Sequence, residues 1–350
     1  MEITFDREYV YQTIREIMAI DSPSGFAGKA IDYVEKWAGE LGLEFSRTNK
    51  GNGMVSLKGE DASRTVGVCA HMDTLGLMVR SVKENGRLAF TRVGGPILPT
   101  LDSELCRVYT REGKVYQGTV FSTSPAAHVY PDASEKARTE ENMEVILDEK
   151  VSSREETEAL GIQAGDYICF DPKTVITENG FIKSRFLDDK LSVAILMGVI
   201  RQMVKNGVRP ACNVKVLFST YEEVGHGMAS FPEDIPELLC VDMGCIGKDL
   251  GCTEYQVSIC AKDSSGPYDY ETTGRLIRLA REHGLGYAVD IYPQYSSDAS
   301  AALRGGRDIR AALIGAGVFA SHGYERSHYE GVENCMKLVY LYLTDRQIQL

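Results

Sequence analysis

Two adjacent carboxylates, Glu222 and Glu223, stand on a turn directly after the apolar run 214–218 and shortly before Gly225. Such a pair can supply both a general base and a metal ligand. Most pairs of adjacent glutamates are solvated loop residues. The position of this pair in the chain is therefore needed to distinguish a functional pair from a solvated one. The preceding run is rich in β-branched and aromatic residues and predicts a short buried strand. Because open α/β sheets bind ligands at the carboxyl ends of their strands, we predict a functional site here.

Further metal-ligating side chains stand beside other predicted strands and helices. They are His71 after the strand 66–70, Asp188 before the helix 191–204, Asp242 after the strand 238–241, and either His322 or His328 near the C-terminus. Zn²⁺ accepts imidazole and carboxylate ligands, and a two-metal site also needs a carboxylate that bridges ions about 3.5–4 Å apart. Two histidines, two aspartates and one glutamate meet this need and leave one glutamate for general-base work. Spacing alone does not say which glutamate has which role.

A further acidic side chain, Asp73, follows His71 by two residues. Residues two apart on a strand point to the same side, so Asp73 is expected next to His71 if the strand continues. A carboxylate in that place can hold the second ring nitrogen of a metal-binding histidine. We therefore predict that Asp73 supports catalysis through His71.

The elements that position these residues predict an α/β fold. Helical periodicity is found near residues 8–20, 27–41, 191–204 and 332–343, with short apolar strands between the helices. Between residues 75 and 165 this helical periodicity gives way to short β-like segments. This pattern predicts a doubly wound, mostly parallel sheet flanked by helices, with an inserted small β-rich, barrel-like domain. The predicted catalytic domain spans 1–74 and 162–350, and the insert spans 75–161.

Composition narrows the classes of function. The 350 residues are 43% hydrophobic and carry a formal net charge of −12, which disfavours nucleic acid as a partner. No apolar run of about 18 residues and no basic leader are present, so we expect a cytoplasmic protein with no membrane partner. The nucleotide-binding G-x-x-x-x-G-K-[ST] loop, the G-x-S-x-G elbow and the H-E-x-x-H helix are all missing, so phosphoryl transfer and serine hydrolysis lack their usual anchors.

Five short motifs resemble, in order, those of the tetrahedral aminopeptidases, a family of exopeptidases with two metal ions. They are His71-Met-Asp-Thr, Leu187-Asp-Asp-Lys190, Tyr221-Glu-Glu-Val-Gly225, Val241-Asp-Met-Gly244 and Glu325-Arg-Ser-His328. The family includes glutamyl and deblocking aminopeptidases and proteins named cellulase M or endoglucanase. The resemblance covers nearly the whole chain, from the early turn Ser22-Pro-Ser-Gly25 onwards.

This resemblance implies two divalent metal ions in each subunit. Zinc is the expected metal, and cobalt is the alternative. One ion would be held by His71, Asp188 and Asp242, and the other by Asp188, Glu223 and His328. Asp188 would bridge the ions and Glu222 would be the base. We favour His328 over His322 because it directly precedes the last predicted helix.

The resemblance also implies partners. Peptides with a free N-terminus would be the substrates, and the insert would form dimers that assemble into a homo-oligomer, often a dodecamer. His128 follows a proline in the segment Ser124-Pro-Ala-Ala-His128, which resembles a proline-then-histidine segment in the inserted domain of the family. It is therefore predicted to approach the active site of a neighbouring subunit and to stabilise the oxyanion.

The predicted activity is that of a metal-dependent aminopeptidase, a hydrolase that removes N-terminal residues. Three alternatives stay open at this point: a deacylase or carboxypeptidase with the same two-metal centre, a glycosidase with two carboxylates and no metal, and a non-catalytic assembly subunit. Side-chain specificity is not visible in the sequence, although the segment 292–300 is a candidate wall of the substrate pocket.

Overall fold

The computed structural model describes residues 3–232 and 234–347. The chain divides into two compact units, one made of Met1–Asp73 with Lys173–Leu350 and the other of Thr74–Pro172. The second unit extends further than the predicted 75–161, because the strand Tyr167–Phe170 pairs with two other strands of that unit.

Seven α-helices are found in the described residues. They are α1 (Arg7–Met18), α2 (Gly28–Glu40), α3 (Arg154–Ala159), α4 (Leu187–Lys205), α5 (Tyr270–Glu282), α6 (Asp298–Arg304) and α7 (Tyr329–Thr344). Two short 3₁₀ turns, Leu98–Leu101 and Glu222–Val224, add to them. None of the helices in the described part of the chain is both long and apolar enough to span a membrane.

The described residues also form nineteen strands. In the first unit these are β1 (Glu44–Arg47), β2 (Gly53–Leu57), β3 (Asp61–His71), β10 (Val175–Ile176), β11 (Phe181–Ser184), β12 (Cys212–Ser219), β13 (Glu237–Val241), β14 (Gly244–Cys245), β15 (Val257–Asp263), β16 (Gly266–Pro267), β17 (Tyr287–Ile291), β18 (Arg310–Val318) and β19 (Glu325–His328). In the second unit they are β4 (Gly76–Val82), β5 (Leu88–Val93), β6 (Glu104–Tyr109), β7 (Val115–Ser122), β8 (Met143–Leu147) and β9 (Tyr167–Phe170).

The first unit is built on a mixed sheet with the strand order β1-β2-β12-β3-β13-β18-β15-β16. Its centre, β12-β3-β13-β18, is parallel, whereas β2 and β15 join this centre antiparallel. Toward their carboxyl ends these strands are buried and mostly apolar, as parallel strands covered by helices are. Ala299 and Ala302 of α6 pack on Cys69, Leu217 and Cys240 of the sheet, while α4 lies against β3 and β18. The predicted α/β fold is confirmed, with antiparallel strands at the flanks.

The second unit is a closed barrel with the strand order β4-β5-β8-β7-β6-β9, in which all neighbours are antiparallel. Its core is made of fully buried apolar side chains such as Leu77, Phe90, Val108, Val120 and Ile168. Closure removes the free strand edges that an open sheet of this size exposes. The predicted barrel-like insert is therefore confirmed.

Candidate active site

The predicted site residues converge at one edge of the mixed sheet. Strand β3 ends at His71, and Asp242 directly follows β13. Glu222 and Glu223 lie in the 3₁₀ turn three residues beyond the end of β12. Because β12, β3 and β13 are parallel neighbours, their carboxyl ends meet at this edge. Asp188, in the irregular first turn of α4, completes the group.

Asp188 lies between two imidazole rings. Its Oδ1 is 3.1 Å from Nε2 of His71, and its Oδ2 is 3.5 Å from Nε2 of His322. Burial raises the pKa of this carboxyl, but the two rings outweigh burial and hold the pKa well below its usual value. Asp188 therefore stays ionised, with each oxygen directed to a different histidine.

The second ring belongs to His322 and not to His328, which corrects the sequence-based preference. Nε2 of His322 is 3.6 Å from Oε2 of Glu223, as well as near Asp188. The backbone of His322 is left-handed, with φ 64°, a conformation that few non-glycine residues adopt and that is often found at functional sites. The turn after β18 therefore supplies the second histidine.

The side chain of His328 caps a helix instead of facing the site. It is the N-cap residue of α7, where its Nδ1 accepts a hydrogen bond from the backbone N–H of Glu330 at 3.1 Å. Its Nε2 donates to the carbonyl oxygen of Asn179 at 2.8 Å. The ring also meets Phe181 and Tyr255 edge to face, with centroids 4.9 and 4.8 Å away. Both ring nitrogens are occupied, so His328 is not available to the site.

Glu222 and Glu223 project in different directions from their shared turn. Oε2 of Glu222 is 3.7 Å from Nε2 of His71, whereas Glu223 points to His322. Burial is the main cause that raises the pKa of both carboxyls, to about 8 for Glu223 and well above the usual value for Glu222. Glu222 can thus act on the side of His71, and Glu223 on the side of His322.

Asp73 fixes this turn, which is more than the sequence predicted for it. Its Oδ1 and Oδ2 accept from the backbone N–H groups of Glu222 and Glu223 at 3.1 and 3.3 Å, and Oδ2 also accepts from the hydroxyl of Ser24. Nδ1 of His71 contacts the backbone oxygen of Asp73 at 2.9 Å, while the carboxylate is 3.6 Å away. The backbone of Asp73, more than its side chain, therefore orients the ring of His71.

The chemistry of the donor set fits a divalent metal. Two groups of atoms, each within 4.8 Å of one another, could hold an ion: His71, Asp188 and Glu223 form one, and His71, Asp189 and Asp242 form the other. Oε1 of Glu223 and Oδ1 of Asp189 are buried and have no hydrogen-bond partner in the described structure. Buried carboxylate oxygens without partners are costly unless a cation meets them.

Asp242 and Asp189 both belong to the second of these groups. Burial, followed by the charge of Asp188, raises the pKa of Asp242 to about 7, and one of its oxygens accepts from the N–H of Met243 at 2.6 Å. Asp189 uses Oδ2 to accept from the backbone N–H of His71 at 3.0 Å, and burial raises its pKa well above the usual value. Each carboxylate therefore uses one oxygen to hold a backbone N–H, that of Met243 for Asp242 and that of His71 for Asp189.

Other supporting residues were missed by sequence reasoning. Glu325 accepts from the backbone N–H groups of both Asp188 and His322, at 3.1 and 3.0 Å, and so ties two site segments together. Asp298 accepts from the hydroxyl of Ser219, the last residue of β12, and from the N–H of Met228. Glu325 opens one of the five motifs, but nothing local in the sequence marks it as a backbone acceptor.

The remaining predicted residues are His128 and the segment 292–300. His128 is exposed in a turn of the second unit, and its predicted oxyanion role stays a prediction. Part of the segment 292–300 borders the cavity beside the cluster, where Gln294, Tyr295 and Ser296 line it.

Comparisons with known proteins identify the family of this chain. YhfE of Bacillus subtilis (strain 168), which is named as an aminopeptidase, is 43% identical over 333 residues, covering 95% of this chain and 96% of that protein. The TET aminopeptidase from the marine sediment archaeon Thaumarchaeota archaeon SCGC AB-539-E09 has a similar structure, with a TM-score of 0.87, 20% identity and 98% of each chain covered.

A second solved structure, of the TET1 peptidase of Pyrococcus horikoshii, matches with a TM-score of 0.83 and 20% identity, covering 96% of this chain and 99% of that one. Its description says that it can assemble into a tetrahedron or a large octahedral shell. The sequence profile of the family described as M42 glutamyl aminopeptidase matches residues 51–338. The predicted resemblance is thus confirmed, and the chain belongs to the M42 glutamyl aminopeptidase family, a family of peptide hydrolases.

Proposed function

We propose that this enzyme releases N-terminal residues from peptides at a site with two divalent metal ions. The observation that carries the proposal is the position of Asp188, whose two carboxylate oxygens face His71 and His322 separately. A carboxylate placed in this way suits a bridge between two ions.

The family resemblance and the position of His322 beside Asp188 and Glu223 support the following ligands. His71, Asp188 and Asp242 would hold one ion, and Asp188, Glu223 and His322 would hold the other. Zn²⁺ fits this set of nitrogen and oxygen donors, and Co²⁺ does as well. When bound, two such ions polarise the scissile carbonyl and make water a usable nucleophile near neutral pH. The unpartnered Oε1 of Glu223 supports this assignment, since it is a buried ligand atom with free capacity.

Glu222 is proposed as the general base. The turn fixed by Asp73 directs its carboxylate toward His71 and away from His322, so it borders both proposed ligand groups without being needed in either. Its carboxylate would accept a proton from the attacking water and pass it to the leaving amine. Burial raises the pKa of Glu222, as is typical of carboxyls that exchange protons near neutral pH.

The substitution Glu222→Gln tests this role. It keeps the size of the side chain and its hydrogen-bonding reach but removes the proton acceptor, so we expect full metal content and a fall in kcat of at least about 10²-fold. The substrates are aminoacyl anilides, and metal content is measured by elemental analysis. Glu282→Gln, at the exposed end of α5, is the matched control and should leave both quantities unchanged.

Two results would contradict the proposal. A Glu222→Gln enzyme with parental kcat would exclude Glu222 as base, and loss of metal in that variant would identify it as a ligand instead. Parallel assays with N-acyl amino acids distinguish a deacylase that uses the same ions, because a deacylase would hydrolyse these compounds and leave the anilides intact.

We also propose that the enzyme works as a homo-oligomer of dimers. The shell-forming TET1 peptidase of Pyrococcus horikoshii supports this by similarity along nearly its whole length, and the barrel unit is the proposed dimerisation surface. Light scattering after size-exclusion chromatography should give a mass of many chains, twelve in the case of a dodecamer. A monomer over a range of protein concentrations would exclude the proposal.

A further inference from the structure

A tight turn in the loop between α1 and α2, Pro23-Ser24-Gly25-Phe26, lies against the end of β3. The N–H of Phe26 donates to the carbonyl oxygen of Pro23 at 2.7 Å and closes this turn. Gly25 has φ 86°, close to the value that type II turns need at their third residue, and glycine adopts it without strain. The turn thereby presents the hydroxyl of Ser24 to the carboxylate of Asp73.

Other hydrogen bonds anchor the same loop. Nζ of the fully buried Lys190 donates to the carbonyl oxygen of Ile20 at 2.6 Å. Oγ of Ser22 donates to the carbonyl oxygen of Met72 at 2.9 Å. Ser24 therefore lies on a segment that is held independently of its own contact with Asp73.

The carboxylate of Asp73 is fully buried and depends on hydrogen bonds for its orientation. Oδ1 accepts from the backbone N–H of Glu222 at 3.1 Å, and Oδ2 accepts from that of Glu223 at 3.3 Å. Oδ2 is also the oxygen that accepts from Oγ of Ser24. Without this hydroxyl, Oδ2 would be held in the described structure by the longer of the two backbone hydrogen bonds.

A competing donor lies close to Asp73. Nδ1 of His71 contacts the backbone oxygen of Asp73 at 2.9 Å, and it is 3.6 Å from Oδ1, which is too far for a hydrogen bond. A rotation of the carboxylate that brought Oδ1 to this ring would take it away from the N–H of Glu222. The hydroxyl of Ser24 opposes that rotation because it holds Oδ2 in place.

We propose that Ser24 is a positioning residue for the proposed general base. Its hydroxyl sets the orientation of the Asp73 carboxylate, and this carboxylate in turn fixes the backbone that carries Glu222. Ser24 is neither in the two groups of candidate ligands nor in the lining of the cavity at the site, so it acts through Asp73. The inference rests on the proposed function, since it requires Glu222 to be the base.

Ser24→Ala tests the role of the hydroxyl. We expect about tenfold lower kcat for aminoacyl anilides, KM within about twofold and full metal content, because a base that is held less precisely is more often out of reach of the water. Ser22→Ala is the matched control, since it removes a buried hydroxyl from the same loop that does not bond to Asp73. It should leave kcat within about twofold. Parental kcat in Ser24→Ala, or an equal loss in Ser22→Ala, would overturn the inference.

Ser24→Cys gives the same test if the alanine variant does not fold. It keeps a side chain of similar size but has a weaker donor, so kcat should fall at least about threefold. A parental kcat in this variant would also overturn the inference.

A double-mutant cycle with Glu222→Gln separates positioning of the base from general damage to the fold. Once the base is removed, Ser24→Ala has no base left to misplace, so it should lower the residual kcat by less than about twofold. A tenfold loss in both backgrounds would show a merely structural role and would overturn the inference. Parental kcat in Glu222→Gln alone would instead refute the proposed base.

Amide hydrogen exchange gives a readout that needs neither substrate nor metal. In the chelator-treated enzyme, the N–H groups of Glu222 and Glu223 should exchange at least about threefold faster in Ser24→Ala than in the parent, because Asp73 holds them less firmly. Ser22→Ala should leave these rates unchanged. Unchanged rates in Ser24→Ala would show that Asp73 keeps its orientation without the hydroxyl, which would overturn the inference.

Discussion

Among the single residues, Asp188 is central to the site, because its two oxygens face two different histidines. The separations of 3.1 and 3.5 Å to His71 and His322 are those of ion pairs. Although burial disfavours a charged imidazole, the hydrogen bond to Asp188 and the surrounding carboxylates raise the pKa of His71 well above its usual value. Without an ion, protons therefore supply the positive charge that the carboxylates require. Metal ions would replace those protons, as they do at other sites with coupled ligands.

The roles of His322 and His328 can be separated by two alanine variants. His322→Ala should reduce the metal content from two ions per chain to about one, because it removes a proposed ligand of only one ion. His328→Ala should retain both ions but lower the free energy of unfolding by about 1–2 kcal/mol, since it removes the N-cap of α7 and two ring contacts.

Elemental analysis of metal-loaded protein and thermal unfolding measure the two effects. His322→Asn serves as a further control, since it keeps a polar side chain of similar size in the turn but lacks the imidazole. Full metal occupancy in His322→Ala, or loss of an ion in His328→Ala, would contradict the assignment.

At the scale of elements, the sequence predicts those site residues that lie at the end of a buried strand or within a few residues after it. His71, Asp242 and the glutamate pair are of this kind, because strand periodicity locates the strand ends and parallel pairing brings those ends together. His322 has no such signal. It depends on a left-handed backbone in the turn after β18, and a single sequence does not reveal that conformation.

The sequence also favours His328 as the C-terminal ligand for a physical reason. A histidine before a helix is typical both of a metal ligand at a helix start and of an N-cap, and only the contacts with Asn179 and Glu330 distinguish the two. The sequence also gives no clear signal for the end of the barrel. Strand β9 has the apolar composition of a core strand in either unit, and only its pairing with β4 and β6 assigns it to the barrel.

Two carboxylates connect elements around the site. Asp73, after β3, accepts hydrogen bonds from the backbone of the Glu222–Val224 turn. Glu325, on β19, accepts from the start of α4 and from the turn of His322. Each of these segments would otherwise present unpaired backbone N–H groups close to buried carboxylates. The site is therefore held by long-range contacts between elements, which local sequence patterns do not encode.

For the whole molecule, the site concentrates acidic groups in a chain that already carries a formal charge of −12. Burial is the main cause that raises the pKa values of Glu223, Asp242 and Asp298, to about 8, 7 and 6. In the unfolded chain the same groups titrate near 4. Between about pH 4 and 8 the folded chain therefore binds more protons than the unfolded chain.

This difference fixes the sign of the pH dependence of stability. The free energy of unfolding of the metal-free chain must fall as the pH rises through this window, because the unfolded state then binds fewer protons. The raised pKa of His71 acts in the same direction, since its stabilising charge is lost as the pH rises through the folded-state value. Asp188, whose pKa is lowered, acts oppositely, but only in acid below about pH 4.

We therefore expect the chelator-treated enzyme to have a lower Tm at pH 8 than at pH 6, and added Zn²⁺ to raise Tm more at pH 8. The larger rise follows because ligands that have lost their protons bind metal more tightly. Scanning calorimetry at constant ionic strength measures both values. Glu223→Gln should flatten the dependence of the metal-free form, since it removes a group that titrates at about 8, whereas Glu282→Gln should not change it. A metal-free Tm that rises from pH 6 to pH 8 would show that buried protonated carboxyls do not dominate the site, and that its charge is balanced in another way.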